Sequence, residues 1–184
     1  MELGLIRNVE RLIILDRDGT LIRHVNHIVD PDLVELIAGA GEALASLAES
    51  GFEFAIVTNQ SVIGRGMTTR ANVDKINDVM KSNFAVYGVN FLDILICPHI
   101  PTSNCECRKP STKLGEELLA RYQINRSKVW MIGDQESDLL FGMNLGVRCL
   151  FFNENGRIVP VDVPHFTSWP QVSSHILKSE ILEN

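Results

Sequence analysis

Positive charge is the minority in this 184-residue chain: 17 Lys and Arg stand against 23 Asp and Glu, a net charge of −6. No broad basic surface is left to track a phosphate backbone, which argues against general nucleic-acid binding. No apolar run nears the roughly 18 residues of a membrane-spanning helix, so no membrane partner is expected. The N-terminal stretch MELGLIRNVERLIILD has acids where an export signal needs basic residues, and its apolar run ends in carboxylates. A Walker-type glycine loop is missing, as are repeats, low-complexity tracts and linkers. Cysteine is sparse, with four in all. A cytoplasmic chain is expected, where thiols stay reduced and four cysteines do not imply two disulfides.

What is present is ordinary globular composition, 45% hydrophobic and 22% charged, and one domain over residues 1–184 is expected. Apolar runs at 12–15, 52–57, 92–96, 129–132 and 147–152 read as buried strands. Between them lie helical patterns at 39–50, 68–87, 111–122 and 137–144, and the tail at about 169–182 reads as a last helix. Thr68-Thr69 can cap the second helix, with Val73, Ile76, Val79, Met80 and Phe84 on one face. Such alternation predicts an α/β fold: a parallel central sheet with helices on both sides.

In an open parallel sheet, ligands bind beyond the carboxyl ends of the strands. Those ends are where the polar residues gather. Asp16 and Asp18 follow the first strand, Thr58, Asn59 and Gln60 the second, a Cys-Pro-His loop the third, and Asp134 and Asp138 the fourth. Two carboxylates about 4 Å apart repel by roughly 4 kcal/mol at an effective dielectric near 20. A hard cation such as Mg²⁺ removes that conflict and commonly brings a substrate phosphate with it. Arg108 and Lys109 add charge for the anion. One carboxylate can then attack phosphorus while another moves protons. Gly19 lets the chain turn so that Asp16 and Asp18 both face the site, and Thr58 could bind a phosphoryl oxygen.

DRDGTL at 16–21, VTNQS at 57–61, RKP at 108–110 and GDQESD at 133–138 together resemble the four motifs of the haloacid dehalogenase superfamily of phosphohydrolases, over residues 12 to about 150. The resemblance implies a Rossmann-like three-layer α/β/α sandwich. It makes Asp16 the nucleophile and Asp18 the acid/base, with Thr58 and Lys109 holding the transferring phosphoryl group. Mg²⁺ would take Asp16, the Asp18 backbone carbonyl and Asp134, with Asp138 as supporting acid. Asn59, Gln60, Ser61, Arg65, Arg108 and Gln135 are candidates for substrate contact. The nearest resemblance is to the small branch without a cap domain, which includes the heptose 1,7-bisphosphate and histidinol-phosphate phosphatases.

Both carry a cysteine/histidine loop, which here is Cys97-x-His99-x₅-Cys105-x-Cys107. Alternate residues of an extended chain point the same way, so the pairs can grip one ion from two sides. A Cys₃His set makes a closed, structural zinc site over 97–107. A metal-free loop or a Cys105/Cys107 redox pair stays open as an alternative. Cys149 reads as a small buried hydrophobe. His24 and His27 read as loop residues.

The expected substrate is a small phosphorylated metabolite. The segments at residues 16–44 and 59–76 resemble the heptose bisphosphate phosphatases, which implies a heptose bisphosphate or another phosphorylated sugar. The short zinc-loop spacing is similar to that of the histidinol-phosphate enzymes, which implies histidinol phosphate. A non-catalytic zinc-stabilised binding module stands as the other class. A phosphomutase would need a cap to exclude water, and there is no room for one. A monomer or weak homo-oligomer is expected.

Overall fold

The computed structural model describes residues 9–154, 156 and 163–182. Residues 1–8 of the stretch read for an export signal, and residues 155, 157–162 and 183–184 of the expected domain, lie outside the described residues.

The elements run β1 (Leu12–Leu15), α1 (Ala40–Glu49), β2 (Glu53–Asn59), α2 (Ser61–Gly64), α3 (Arg70–Ala85), β3 (Asp93–Cys97), α4 (Lys113–Tyr122), β4 (Val129–Gly133), α5 (Glu136–Leu145), β5 (Arg148–Phe152), β6 (His165–Phe166) and α6 (Trp169–Leu182). Among the described residues six strands form one sheet in the order β3-β2-β1-β4-β5-β6, and every pairing of these strands is parallel. β1 pairs with β2 on one side and β4 on the other, so the strand order reverses there. That reversal opens a crevice beyond Leu15, at the start of the Asp16 motif.

The pleat sorts the core into two layers. Ile13, Leu15, Phe54, Ile56 and Ile132 face one side, under Leu44 and Leu47 of α1, Ile76 and Met80 of α3, and Val172 and Ile176 of α6. Leu12, Ile14, Ala55, Val57 and Met131 face the other, under Leu118 of α4 and Phe141 and Leu145 of α5. Because both faces are covered, the central strands are apolar at consecutive positions rather than alternating. The result is the parallel sheet with helices on both sides that the alternation predicted, and the three-layer, Rossmann-like sandwich that the resemblance implied. Among the described residues no helix is long and apolar enough to cross a membrane.

α3 starts where expected. Thr69 accepts a hydrogen bond from the Asn72 N–H at 3.2 Å, and Val73, Ile76, Met80 and Phe84 are buried while Val79 is half-buried. Asn77 is buried on the same face, a polar residue among apolar neighbours. Boundaries elsewhere move by one or two residues. β2 runs on through Thr58 and Asn59 because they pair with Ile96 and Cys97 of β3. The fourth helix begins at Lys113 rather than Ser111, whose N–H closes a turn on the Arg108 carbonyl. β6 was not anticipated, since two residues carry no period. α6 is fastened beside the acidic motif: Trp169 stacks on Phe152 at 5.4 Å and donates its indole N–H to the Thr20 carbonyl at 2.9 Å.

Candidate active site

Asp16 leaves β1 with its N–H on the Ile132 carbonyl of β4, at 2.9 Å. The chain then turns through Gly19 at φ +86°, a conformation L side chains rarely adopt. A Cβ there would stand 2.6 Å from Asp134 Oδ2, so the turn also needs glycine for closeness. Asp134 follows β4, and Asp138 sits in the first turn of α5. Asp138 Oδ2 caps that helix by accepting from the Gln135 N–H at 3.0 Å.

Lys109 joins these parts. Its ammonium lies 2.5 Å from Asp16 Oδ1, 2.7 Å from Asp138 Oδ1 and 2.6 Å from the Val57 carbonyl. Asn59 holds the Lys109 backbone from both directions, accepting from its N–H at 3.0 Å and donating to its carbonyl at 3.2 Å. Gln60 donates to Asp18 Oδ2 at 2.7 Å and to Thr58 Oγ1 at 2.9 Å. Gln135 donates to Asp134 Oδ2 at 2.5 Å. Asn59, Gln60 and Gln135 therefore act first as organisers of the site.

Burial sets the electrostatics. It raises Asp16 from 3.8 to about 6; Lys109 opposes the rise, and Asp138 and Asp18 reinforce it. Burial also raises Asp138, against the pull of Lys109. It would lower Lys109, but Asp138 and Asp16 outweigh it and hold the ammonium above the usual lysine range. Three buried carboxylates, Asp16, Asp134 and Asp138, place oxygens within 4.8 Å of one another. One lysine cannot neutralise all three, and an all-oxygen set of net negative charge fits a hard divalent cation.

Around this centre lies a cleft of about 880 Å³, lined by Asp16, Asp18, Thr58, Asn59, Lys109 and Asp134 among others. Arg108 and Gln135 line it as well. Ser61 and Arg65 do not: Ser61 begins the short α2 and Arg65 follows its last residue, outside the cleft wall. Arg23 and Glu154 were missed, and His24, read as a loop residue, also stands on the wall. The one available signal was their nearness to strand ends.

Beyond β3, Cys97, His99, Cys105 and Cys107 also converge within 4.8 Å. Their sulfurs are 3.2 to 3.7 Å apart, and His99 Nδ1 is 3.1 Å from Cys107 and 3.7 Å from Cys97. A tetrahedron with zinc–sulfur bonds of about 2.3 Å has edges of about 3.8 Å, so the set fits such an ion after slight expansion. Burial pushes the Cys97 thiol up to about 12, so a metal must displace a proton to bind there. The loop reaches the cleft through Arg108, which donates to the His99 carbonyl at 3.2 Å.

The sheet, its switch point and this acid–lysine cluster define a class of hydrolase. Residues 7–152 match the sequence profile of the haloacid dehalogenase-like hydrolases, and the chain belongs to that family. It is 32% identical over 173 residues to the histidine biosynthesis bifunctional protein HisB of Campylobacter jejuni, and 34% identical over 171 residues to that of Legionella pneumophila. Each alignment covers 92% of this chain but only 46% of the relative, so the chain spans about half the length of these proteins. In structure it is similar to the D,D-heptose 1,7-bisphosphate phosphatase of B. bronchiseptica, seen with magnesium and phosphate. That likeness has a TM-score of 0.83 at 27% identity and covers 92% of this chain and 99% of that one.

Proposed function

We propose that the protein is a magnesium-dependent phosphomonoester hydrolase that works through an aspartyl phosphate on Asp16. The observation that carries this reading is the buried Lys109 ammonium set between Asp16 and Asp138 on the cleft floor, with Asp18, Thr58 and Asp134 around it. Lys109 and the Thr58 hydroxyl hold the phosphoryl oxygens. An Asp16 oxygen attacks phosphorus, forming a new P–O bond while the bond to the leaving alcohol breaks. Asp18 gives that alkoxide a proton, so the leaving group departs as an alcohol and Asp18 is left as a carboxylate. Asp18 then takes a proton from water, whose oxygen attacks phosphorus. Inorganic phosphate departs, and the Asp16 carboxylate and the Asp18 proton are restored. Asp138 keeps Lys109 in place. Mg²⁺, held by Asp16, the Asp18 carbonyl and Asp134, would offset the clustered negative charge and that of the ester.

Cys97, His99, Cys105 and Cys107 would hold a structural zinc ion, which stiffens the loop carrying Arg108 and Lys109. The thiol cluster suits a reducing, cytoplasmic compartment, and a monomer or weak homo-oligomer is consistent with this reading. A non-catalytic binding module would have no need for all four of Asp16, Asp18, Lys109 and Asp134 around one cleft.

The substrate reading is a heptose 1,7-bisphosphate or a related sugar phosphate. The high structural similarity supports it, and Arg23, His24 and Arg108 on the cleft wall suit a second anionic group. Histidinol phosphate is the second reading, favoured by the identity to the HisB proteins and by the five-residue spacing between His99 and Cys105. A phosphate-release screen with both heptose 1,7-bisphosphate anomers, fructose 1,6-bisphosphate and histidinol phosphate tests the choice. Preference for histidinol phosphate would reverse it. Asp16→Asn should abolish turnover; wild-type-like activity in that variant would remove Asp16 as nucleophile.

A further inference from the structure

The middle residue of the Asp16–Asp18 motif has no part in the chemistry above, yet Arg17 is wholly buried at 0% exposure. Its guanidinium forks onto Asp18, with Nε 3.0 Å from Oδ2 and the nearer terminal nitrogen 3.1 Å from Oδ1. Its other terminal nitrogen donates to Asn77 Oδ1 at 2.9 Å, the buried polar residue on the apolar face of α3. Stability alone does not ask for this arrangement. Burying a charge is costly, and an apolar pair of similar volume at such a place is often neutral or stabilising. What the fork supplies is direction: two parallel hydrogen bonds fix the plane of a carboxylate, which one contact cannot do.

We propose that Arg17 and Asn77 are positioning residues that aim the Asp18 carboxylate for proton transfer to the leaving group. Asn77 anchors the far end of the guanidinium to α3, and the buried Gln60 donates to Asp18 Oδ2 at 2.7 Å. Asp18 is thus set in orientation from two sides before substrate arrives. The inference rests on the phosphatase reading and on Asp18 as its acid/base. It adds two residues that never touch the ester.

Leaving-group chemistry tests it. p-Nitrophenyl phosphate releases a phenolate that departs without a proton, whereas a sugar or histidinol ester releases an alkoxide that needs one. General acid catalysis is worth roughly 10²–10⁴-fold, and part of it depends on aim. Turnover is measured for p-nitrophenyl phosphate and for heptose 1,7-bisphosphate or histidinol phosphate, whichever ester the wild type accepts. Asn77→Leu, which fits the apolar face, should lower the alkyl-to-aryl ratio of kcat/KM, which reads the steps through formation of the aspartyl phosphate, about tenfold. Asn77→Asp keeps an oxygen acceptor and should restore most of the ratio. Arg17→Lys keeps the charge but loses the fork, so it should lower the ratio at least as far, and it serves if Asn77→Leu fails to fold. Equal losses on both esters, an unchanged ratio, or a rise would overturn the inference while leaving the phosphatase reading intact. A wild-type protein inert toward every ester, with magnesium present, would instead defeat the phosphatase reading and this inference with it.

Discussion

Replacing the proposed nucleophile should make the metal-free protein more stable. Asp16 titrates at about 6 in the fold against 3.8 ordinarily, because burial and the neighbouring Asp138 and Asp18 together outweigh Lys109. A raised carboxyl favours the fold only while it keeps its proton. That contribution is fully present below 3.8 and is lost as pH rises through about 6. At neutral pH the ionised Asp16 therefore costs about 3 kcal/mol, at about 1.4 kcal/mol for each pH unit between the two values. Asp16→Asn removes the charge, and the amide oxygen can still accept from Lys109, which keeps Asp138 as well. In EDTA at pH 7 the variant should gain about 3 kcal/mol, or about 6–12 °C in melting temperature for a chain of this size. At pH 5, where much of Asp16 already holds its proton, the gain should be about half as large. Saturating Mg²⁺ should narrow or reverse the difference, because it stabilises only the protein that binds it well. Thermal unfolding at two pH values, with and without magnesium, reads all of this. A variant no more stable than wild type at pH 7 in EDTA, or a gain equal at both pH values, would refute the electrostatic picture of the site.

Gly19→Ala should cripple magnesium binding and turnover together. The new methyl would stand 2.6 Å from Asp134 Oδ2 at a backbone angle that disfavours it, and calorimetric magnesium titration beside an activity assay checks it. Chelation of zinc, or Cys105→Ala, should lower the melting temperature, and elemental analysis should find about one zinc per chain as a single Cys₃His site requires. Unchanged melting would refute a structural metal. His175, packed at 4.9 Å against the Phe166 ring and 6.0 Å from that of Trp130, has its pKa lowered by burial. Its neutral ring favours the fold, so its contribution is present above about 6.5 and falls as pH drops through that value. The wild-type minus His175→Phe difference in melting temperature should shrink below pH 6.5, which also cancels the opposite trend from Asp16.

The sequence made the inner site legible because strand ends are easy to find. An apolar run followed at once by Asp, Thr or Gly-Asp marks both the strand and the rim on which its last residues stand, and parallel pairing brings those rims together. Cys97, His99, Cys105 and Cys107 were legible for a similar reason, as ligand types crowded into one loop. Arg17 was not. Its partner Asn77 lies 60 residues away and reads as an unremarkable polar position in a helix. Arg23, His24 and Glu154 sit on loops after the strands, where no periodicity says which way a side chain turns. β6 is too short to show a period, and it exists because Phe151 and Phe152 offer it a sheet edge.

The interactions divide the cleft into two parts with different freedoms. On its floor the proposed reacting groups are held by neighbours, some from another strand end and some adjacent in the chain: Lys109 by Asn59 and Asp138, Asp18 by Gln60 and the adjacent Arg17, Asp134 by the adjacent Gln135. Groups fixed this way need no reorganisation when charge moves, which is what lowers a barrier in a buried site. The same mutual support forbids piecemeal change, since removing one partner leaves another buried and unsatisfied. The outer wall is less constrained: Arg108 is tied to the His99 carbonyl, but Arg23 is paired, among the described residues, with the exposed Glu35 at 3.1 Å, and both of these side chains are more than half exposed. Substitutions there cost little in stability, because exposed ion pairs contribute at most about 1 kcal/mol. Substrate preference can therefore drift on the wall while the floor stays as it is. Such a division would let a chain resemble both a sugar-bisphosphate phosphatase and the HisB proteins, and under the proposed function the choice between substrates would rest with Arg23, His24 and Arg108 rather than with the aspartates.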